Sequence, residues 1–289
     1  MHNPIYIDAK SIIQANNNFN LTKGCMHGCI YCDSRSTCYQ NGLFDQIKIK
    51  ADAISIMDKE LSKRREKAIL TSGGMNDPYI SMPESLELTR NALKIIYKHG
   101  FGVSILTKST NVLRDLELIK DINHRYKAIV QMTVTTFDDD MAKKIEPNVS
   151  LPSERFECLK QFSKAGINTG LWMTPILPFI TDTEENIKGI VKRAHEAGVK
   201  FIVMYGIGTT MREGSREYFY NRLEKLFPGL KTKYMFTYKD EYICDSPDAP
   251  HLHDLFEEEC DKYGIIYESS EIEKCMMNKP YEQLSLFDI

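Results

Sequence analysis

The chain has 289 residues with 42% hydrophobic and 27% charged side chains and a net charge of −3 at neutral pH. That balance excludes a disordered or fibrous chain, no apolar run is long enough to span a membrane, and a slightly negative protein can meet nucleic acid only through a local patch. A chain of this length suits one closed α/β architecture. The opening MHNPIYIDAK lacks the basic-then-apolar order of a signal peptide, which predicts a cytoplasmic protein. Thiols stay reduced there, so the eight cysteines do not read as a disulfide framework.

Six apolar, β-rich runs follow one another in chain order: FNLT (19–22), KAILTSGG (67–74), FGVSILTKS (101–109), AIVQMTVTT (128–136), NTGLWMTPILP (168–178) and KFIVMYGIG (200–208). Their near-continuous hydrophobicity is that of parallel strands buried on both faces. The stretches between them have helical periodicity, and two end in Ala165-Gly166 and Ala197-Gly198, with glycine where a left-handed turn stops a helix. Strand and helix alternation predicts a partial (β/α)6 TIM-like barrel over residues 1–210, with a C-terminal α/β extension packed on it over 211–279 and an exposed tail at 280–289. The basic cluster Lys59, Lys63, Arg64, Arg65 and Lys67 reads as a solvated helix face rather than a phosphate site.

Polar residues gather at the C-terminal ends of these strands, where such a barrel carries its chemistry. After the first strand comes KGCMHGCIYCDSRSTCYQ (23–40). Thiolates at Cys25, Cys29 and Cys32, spaced C-x3-C-x2-C on a loop loosened by Gly24 and Gly28, can each take one corner of a cubane iron-sulfur cluster. One iron then has no protein ligand and can hold a small chelating molecule. Two other readings stay open. A structural zinc site would need a second pair of ligands, and none is spaced for it, His251 and His253 being too close together. A closed electron-transfer cluster would take Cys38 as its fourth thiolate. Otherwise Cys38 reads as an ordinary buried thiol, as do the isolated Cys158, Cys244, Cys260 and Cys275. His27 reads as a solvated or supporting group rather than a ligand.

The octapeptide CMHGCIYC, with Tyr31 at the aromatic place, resembles the signature of the radical S-adenosylmethionine (radical SAM) superfamily, C-x3-C-x-aromatic-C after the first strand of a partial barrel. The phrases GGMNDPY, ILTKSTNVLRD, TVTTFDDDMAKKIEPNVSLPSERF and PILPFITD are similar to the spore photoproduct lyase branch, relatives described as DNA repair photolyases. The resemblance runs from about Asn3 to about Gly208. It implies a 4Fe-4S cluster on Cys25, Cys29 and Cys32, with S-adenosylmethionine (SAM) on the open iron. One electron then cleaves the sulfonium to a 5′-deoxyadenosyl radical that takes hydrogen from a substrate. It also implies reduced flavodoxin or ferredoxin as electron donor and a nucleic-acid substrate, most directly a DNA lesion or modification. RNA, a peptide or a small metabolite stay open as substrates.

Residue by residue, the resemblance points to Ser72, Gly73 and Gly74 as backbone for the cofactor ammonium, with Asp77 as the acidic residue nearby. Lys108 falls at the place of the lysine that meets the cofactor carboxylate. Thr133 or Thr135 supplies a hydroxyl, with Thr135 favoured. Arg155 reads as a carboxylate clamp or as an exposed pairing with Glu146 or Glu154. Gly206, with Gly208, leaves backbone for an adenine edge or forms a plain turn. Asp115 reads as a helix start or a partner of Arg114. One departure matters: where the lyases carry a hydrogen-donating cysteine, this chain has Gly74, Met75 and Asn76. Another donor or another reaction is therefore expected, with Tyr79, Tyr205, Cys38 and Cys244 as candidates. In the last residues, Gln283, Leu284, Leu286 and Phe287 resemble the peptide by which bacterial repair proteins hold the sliding clamp; packing back on the barrel is the other reading.

Overall fold

The computed structural model describes residues 4–277. A small sheet comes first: β1 (Ile5–Ile7) lies parallel, and β2 (Thr22–Lys23) antiparallel, to β3 (Lys48–Lys50). After α1 (Ala53–Lys63) the barrel sequence begins with β4 (Ile69–Ser72) and α2 (Pro83–His99), then β5 (Gly102–Thr107), α3 (Leu116–Arg125) and β6 (Ala128–Thr133). It continues through α4 (Asp139–Ile145), α5 (Pro152–Lys164), β7 (Asn168–Trp172), α6 (Glu184–Glu196) and β8 (Phe201–Val203). The five strands β4 to β8 pair in sequence order, every pair parallel, so their C-terminal ends share one rim. This is the mixed α/β, partial TIM-like barrel that the alternation predicts.

The first predicted strand is corrected. Only Asn18 makes a parallel bridge to Thr71, with the Phe19 amide donating to the Thr71 carbonyl at 2.8 Å. Thr22 turns away to β3, because the chain spends its next backbone groups on an antiparallel partner before entering the cysteine loop. The helices α5 and α6 stop where expected, with Gly166 and Gly198 in the left-handed region.

Beyond β8 come β9 (Gly208–Thr210), α7 (Ser215–Leu226), α8 (Leu230–Tyr238), β10 (Ile243–Asp245), α9 (Ala249–Tyr263) and α10 (Ser269–Met277). β9 and β10 pair antiparallel beside the barrel rim. Leu252, Leu255, Phe256 and Cys260 of α9 enter the same buried cluster as the barrel helices and strands. At the opposite pole, Ile272 of α10 packs on Ile129 and Phe201 near the strand starts. There the Lys127 ammonium donates to the Cys275 carbonyl. Ile266 takes the open edge of β8, its carbonyl accepting from the Ile202 amide at 2.9 Å. An edge covered in this way cannot template further strands. Among the described residues, no helix is long and apolar enough to cross a membrane. Gln283, Leu284, Leu286 and Phe287 lie outside the described residues.

Candidate active site

The cysteine loop leaves β2 at Gly24, whose φ is +85° and whose position would set a Cβ 2.6 Å from the Phe44 carbonyl oxygen. Only glycine permits that turn. The Cys25 amide then donates to Phe44 at 3.0 Å, the Ile30 amide to Ile145 at 2.9 Å and the Cys32 amide to Cys29 at 3.3 Å. The loop is supported from behind by the extension, since Cys29, Ile30 and Tyr31 pack with Phe219, Leu223, Tyr234 and Tyr238 of α7 and α8.

In front of the loop lies a cavity of about 520 Å³ at the C-terminal ends of the strands. Cys25, Cys29, Cys32, Tyr31, Gly73, Gly74, Asp77, Lys108, Tyr205 and Gly206 all line it. At Gly73 the backbone approaches β5 so closely that a Cβ would stand 1.8 Å from the Leu106 carbonyl oxygen. Asp77 holds this turn: its carboxylate accepts from the Thr107 hydroxyl at 2.6 Å, the Lys108 amide at 2.7 Å and the Tyr79 amide at 2.8 Å. His27 stands beside it at 3.6 Å, buried rather than solvated, and burial holds its imidazole below the ordinary pKa against the pull of Asp77.

Burial pushes the Cys25 thiol up to about 12, with the Asp77 charge adding to it, and raises Cys29 and Cys32 as well. Metal binding at these sulfurs therefore has to release protons. Burial alone would lower the Lys108 ammonium, but Cys29 and Glu146 outweigh it and its pKa is raised. Its Nζ makes no hydrogen bond or ion pair with another described residue and lies 5.8 Å from the Tyr31 ring centroid. The donor set fits a cluster with a chelated carboxylate. Three thiols and one uncommitted cation share a cavity, yet among the described residues no group of three His, Cys, Asp or Glu side chains is arranged to hold a single ion. A cubane asks for one thiolate at each of three irons, whereas tetrahedral zinc asks for convergence on one point.

Below the loop is a buried ionic chain. The Tyr31 hydroxyl donates to Glu146, and Arg155 donates to the other oxygen of Glu146 at 2.5 Å, to the Thr133 carbonyl at 2.8 Å and to the Ser150 carbonyl at 2.7 Å. The expected clamp at Arg155 is thus corrected: the residue is 0% exposed, every guanidinium nitrogen is engaged, and it does not line the cavity. Its pairing with Glu146 is buried, not exposed. Arg155 positions Tyr31 and the end of β6 instead.

Other expectations are corrected by direction of side chain. Ser72, expected to offer its backbone with Gly73 and Gly74, lines a small neighbouring pocket with Thr22 and Asn76 and not the main cavity. Thr133, not Thr135, lines the cavity; the Thr135 hydroxyl is buried and has no hydrogen-bond partner among the described residues. Tyr79 is fully buried with its hydroxyl on Asp115 at 3.1 Å, away from the cavity. Asp115 pairs with Arg90, while Arg114 reaches Glu87. Cys244 is buried because β10 alternates: Ile243 and Asp245 face the cavity and Cys244 faces α7 and α8. Cys38 is exposed, not buried, and its sulfur accepts from Arg212 at 3.3 Å. Of the four donor candidates, only Tyr205 lines the cavity.

Sequence reasoning missed the rest of the wall. Trp172, whose indole donates to Gln131 at 2.6 Å, stands edge-on to Tyr205 with centroids 5.6 Å apart. It could have been found by strand alternation from Gly170. Met75, Tyr242 and Ile243 also reach the cavity. Arg212 ties the cysteine loop to the extension, donating to the Tyr39 hydroxyl at 3.2 Å and the Tyr242 hydroxyl at 2.6 Å. No local pattern joins residues so far apart in the chain.

Comparison with known proteins agrees with this geometry. The model of the Radical SAM superfamily matches residues 19–187, more than half of the chain. An uncharacterized protein of Methanocaldococcus jannaschii is 31% identical over 164 residues, covering 56% of this chain and 60% of that protein. An uncharacterized protein of Mycobacterium tuberculosis is 26% identical over 226 residues, covering 75% of this chain and 65% of that protein. The chain spans less than two thirds of the length of these curated relatives. Among solved structures, spore photoproduct lyase complexed with dinucleoside spore photoproduct superposes with a TM-score of 0.62 at 15% identity, covering 84% of this chain and 72% of that chain. A radical SAM methyltransferase from Kitasatospora setae, with tryptophan substrate and a SAM analogue bound, gives 0.54 at 8% identity, covering 88% and 52%. At such identities the likeness is one of fold. With its three loop cysteines facing the strand ends of a partial barrel, this chain belongs to the radical SAM superfamily, a family whose cofactors are a 4Fe-4S cluster and SAM.

Proposed function

We propose that the chain is a radical SAM enzyme acting on nucleic acid. The observation that carries this reading is the convergence of Cys25, Cys29, Cys32 and Lys108, which is unpaired among the described residues, on one cavity at the strand ends. When bound, the reduced cluster and SAM supply a 5′-deoxyadenosyl radical that abstracts hydrogen from the substrate. The chain's own residues do the positioning. Lys108 meets a carboxylate, the bare backbone of Gly73 and Gly74 takes an ammonium, the Thr133 hydroxyl offers a further hydrogen bond, and Gly206 leaves its backbone open at the rim. Asp77 keeps the glycine turn against β5, and Arg155 with Glu146 keeps Tyr31 under the loop. Tyr205 would give its phenolic hydrogen to the substrate radical, and the tyrosyl radical left behind would be restored by an electron from the flavodoxin or ferredoxin and a proton.

The substrate assignment draws support from the shared fold with spore photoproduct lyase, whose solved structure holds a dinucleoside photoproduct. Gly74, Met75 and Asn76, in the loop after β4, take the place where by resemblance those lyases carry their cysteine, so the proposed reaction is lesion repair or modification by another hydrogen route. Reduced flavodoxin or ferredoxin in the cytoplasm would be the electron source. Residues 1–210 would form the catalytic core, 211–279 its extension, and 280–289 a peptide offering Gln283, Leu284, Leu286 and Phe287 to a sliding clamp. Binding of the last twelve residues to a bacterial clamp checks that last point, and affinity unchanged by Leu286→Ala with Phe287→Ala rejects it.

Anaerobic reconstitution with iron and sulfide tests the main reading. About four irons per chain and conversion of SAM to 5′-deoxyadenosine are expected, and Cys29→Ala should lose both. One zinc per chain with no iron uptake would falsify it. Lesion-bearing oligonucleotides screened for deuterium transfer into 5′-deoxyadenosine then identify the substrate.

A further inference from the structure

Nine large hydrophobic side chains are exposed among the described residues, and four of them, Met75, Tyr205, Tyr242 and Ile243, line the one cavity. They come from the loop after β4, the loop after β8 and the entry to β10, so chain proximity does not account for their meeting. Exposed apolar groups concentrated at a polar cleft mark a ligand surface. Rigid rings serve such a surface best, because little freedom is lost on binding. Trp172 is fixed at its nitrogen by Gln131, which is itself fixed by the Ser104 hydroxyl at 2.8 Å, and Tyr242 is held at its hydroxyl by Arg212.

The charges around this rim are sparse and nearly balanced. Asp33, Asp77 and Asp245 line the cavity against Arg35 and Lys108. Arg35 is committed to Asp45 and lies 3.9 Å from the Tyr218 ring, while Lys108 lies beside the cysteines. Arg212, behind Tyr39 and Tyr242, is the further cation at this edge, and Asp33 already stands 3.7 Å from it. A duplex gripped by its backbone needs a track of cations, whereas an unpaired strand can be held by rings stacked on its bases.

We infer that the rim formed by Met75, Tyr205, Tyr242 and Ile243 takes an unpaired base, so that the enzyme binds single-stranded or locally opened nucleic acid and not intact duplex. The inference rests on the nucleic-acid reading above and narrows it. Stacking supplies the grip and about one phosphate meets Arg212, so salt should matter little.

The test is fluorescence anisotropy on the reconstituted full chain, with a labelled twelve-nucleotide single strand, the same sequence as duplex, and a tyrosine-rich dodecapeptide. The single strand should bind at least about tenfold tighter than the duplex. Its affinity should fall only about threefold between about 50 and about 200 mM salt, as one phosphate contact implies. Tyr242→Ala should weaken the strand about tenfold, while Tyr242→Phe, which keeps the ring, retains most of the affinity. Phe236→Ala, 85% exposed but off the cavity, should change neither binding nor SAM cleavage. Duplex binding as tight as single strand, a steep salt slope, or indifference to Tyr242→Ala overturns the inference, as does capture of the peptide alone. SAM cleavage by the unaltered chain keeps the two levels apart. If cleavage occurs and the duplex binds as well as the strand or better, only the inference fails; if cleavage is absent, or neither strand nor duplex binds, the parent reading fails.

Discussion

The two walls of the cavity are built on opposite principles. The barrel wall carries polar groups on tightly held backbone: cysteines on a tight loop, the Asp77 carboxylate with three donors, and a lysine at a strand end. The rim wall, made by Met75 and Tyr205 from barrel loops with Tyr242 and Ile243 of the extension, carries exposed apolar side chains, and Arg212 anchors Tyr242 at its hydroxyl. A wall of the first kind serves one fixed partner, because its loop and glycine turn are tied to one geometry. The second kind tolerates variety, since apolar contact is non-directional.

Substitutions can break that contrast, in order of expected effect. Cys32→Ala should remove the cluster and with it all SAM cleavage, read by iron content and by 5′-deoxyadenosine. Arg155→Ala strands the Glu146 carboxylate in a fully buried site and should cost about 3–5 kcal/mol of stability, measured by urea unfolding. Burial alone would raise Glu146, but Arg155 and Lys108 pull it below its ordinary range. Because its folded pKa is depressed, its contribution is present above the unfolded carboxyl pKa and is lost as pH falls through the folded value. Glu146→Gln should flatten that acid side of the stability curve. Lys108→Met should raise the Kd for SAM on the order of thirtyfold, the worth of one charge-assisted bond, with iron content unchanged. Thr135→Val should leave SAM binding and stability nearly as they are, since its hydroxyl has no partner among the described residues. A large loss there, with Thr133→Val silent, would restore the opposite assignment.

The same contrast explains what could be read from the sequence. Cys25, Cys29, Cys32 and Tyr31 lie within eight residues, and their spacing is itself the chemistry. Lys108 follows from its place at the end of a strand that needs no partner to be recognised. Thr135 is favoured over Thr133 from the sequence and the structure reverses that order, because the regular strand ends at Thr133 and alternation ceases to govern direction. Tyr79 sits in a suggestive phrase, yet its ring turns to Asp115, a residue of another turn. Arg212 and Tyr242 reach the site only through the β9–β10 pairing and the contact with Tyr39, relations across long separations that no local period encodes.

The helix α10 has a bearing on how the molecule works among others. It stops the barrel at the strand starts, where Ile272 meets Ile129 and Phe201, and the cavity opens at the strand ends, beside Thr133 and Trp172. The last described helix therefore lies at the face opposite the mouth of the cavity. A molecule held against that face would leave the mouth of the cavity uncovered.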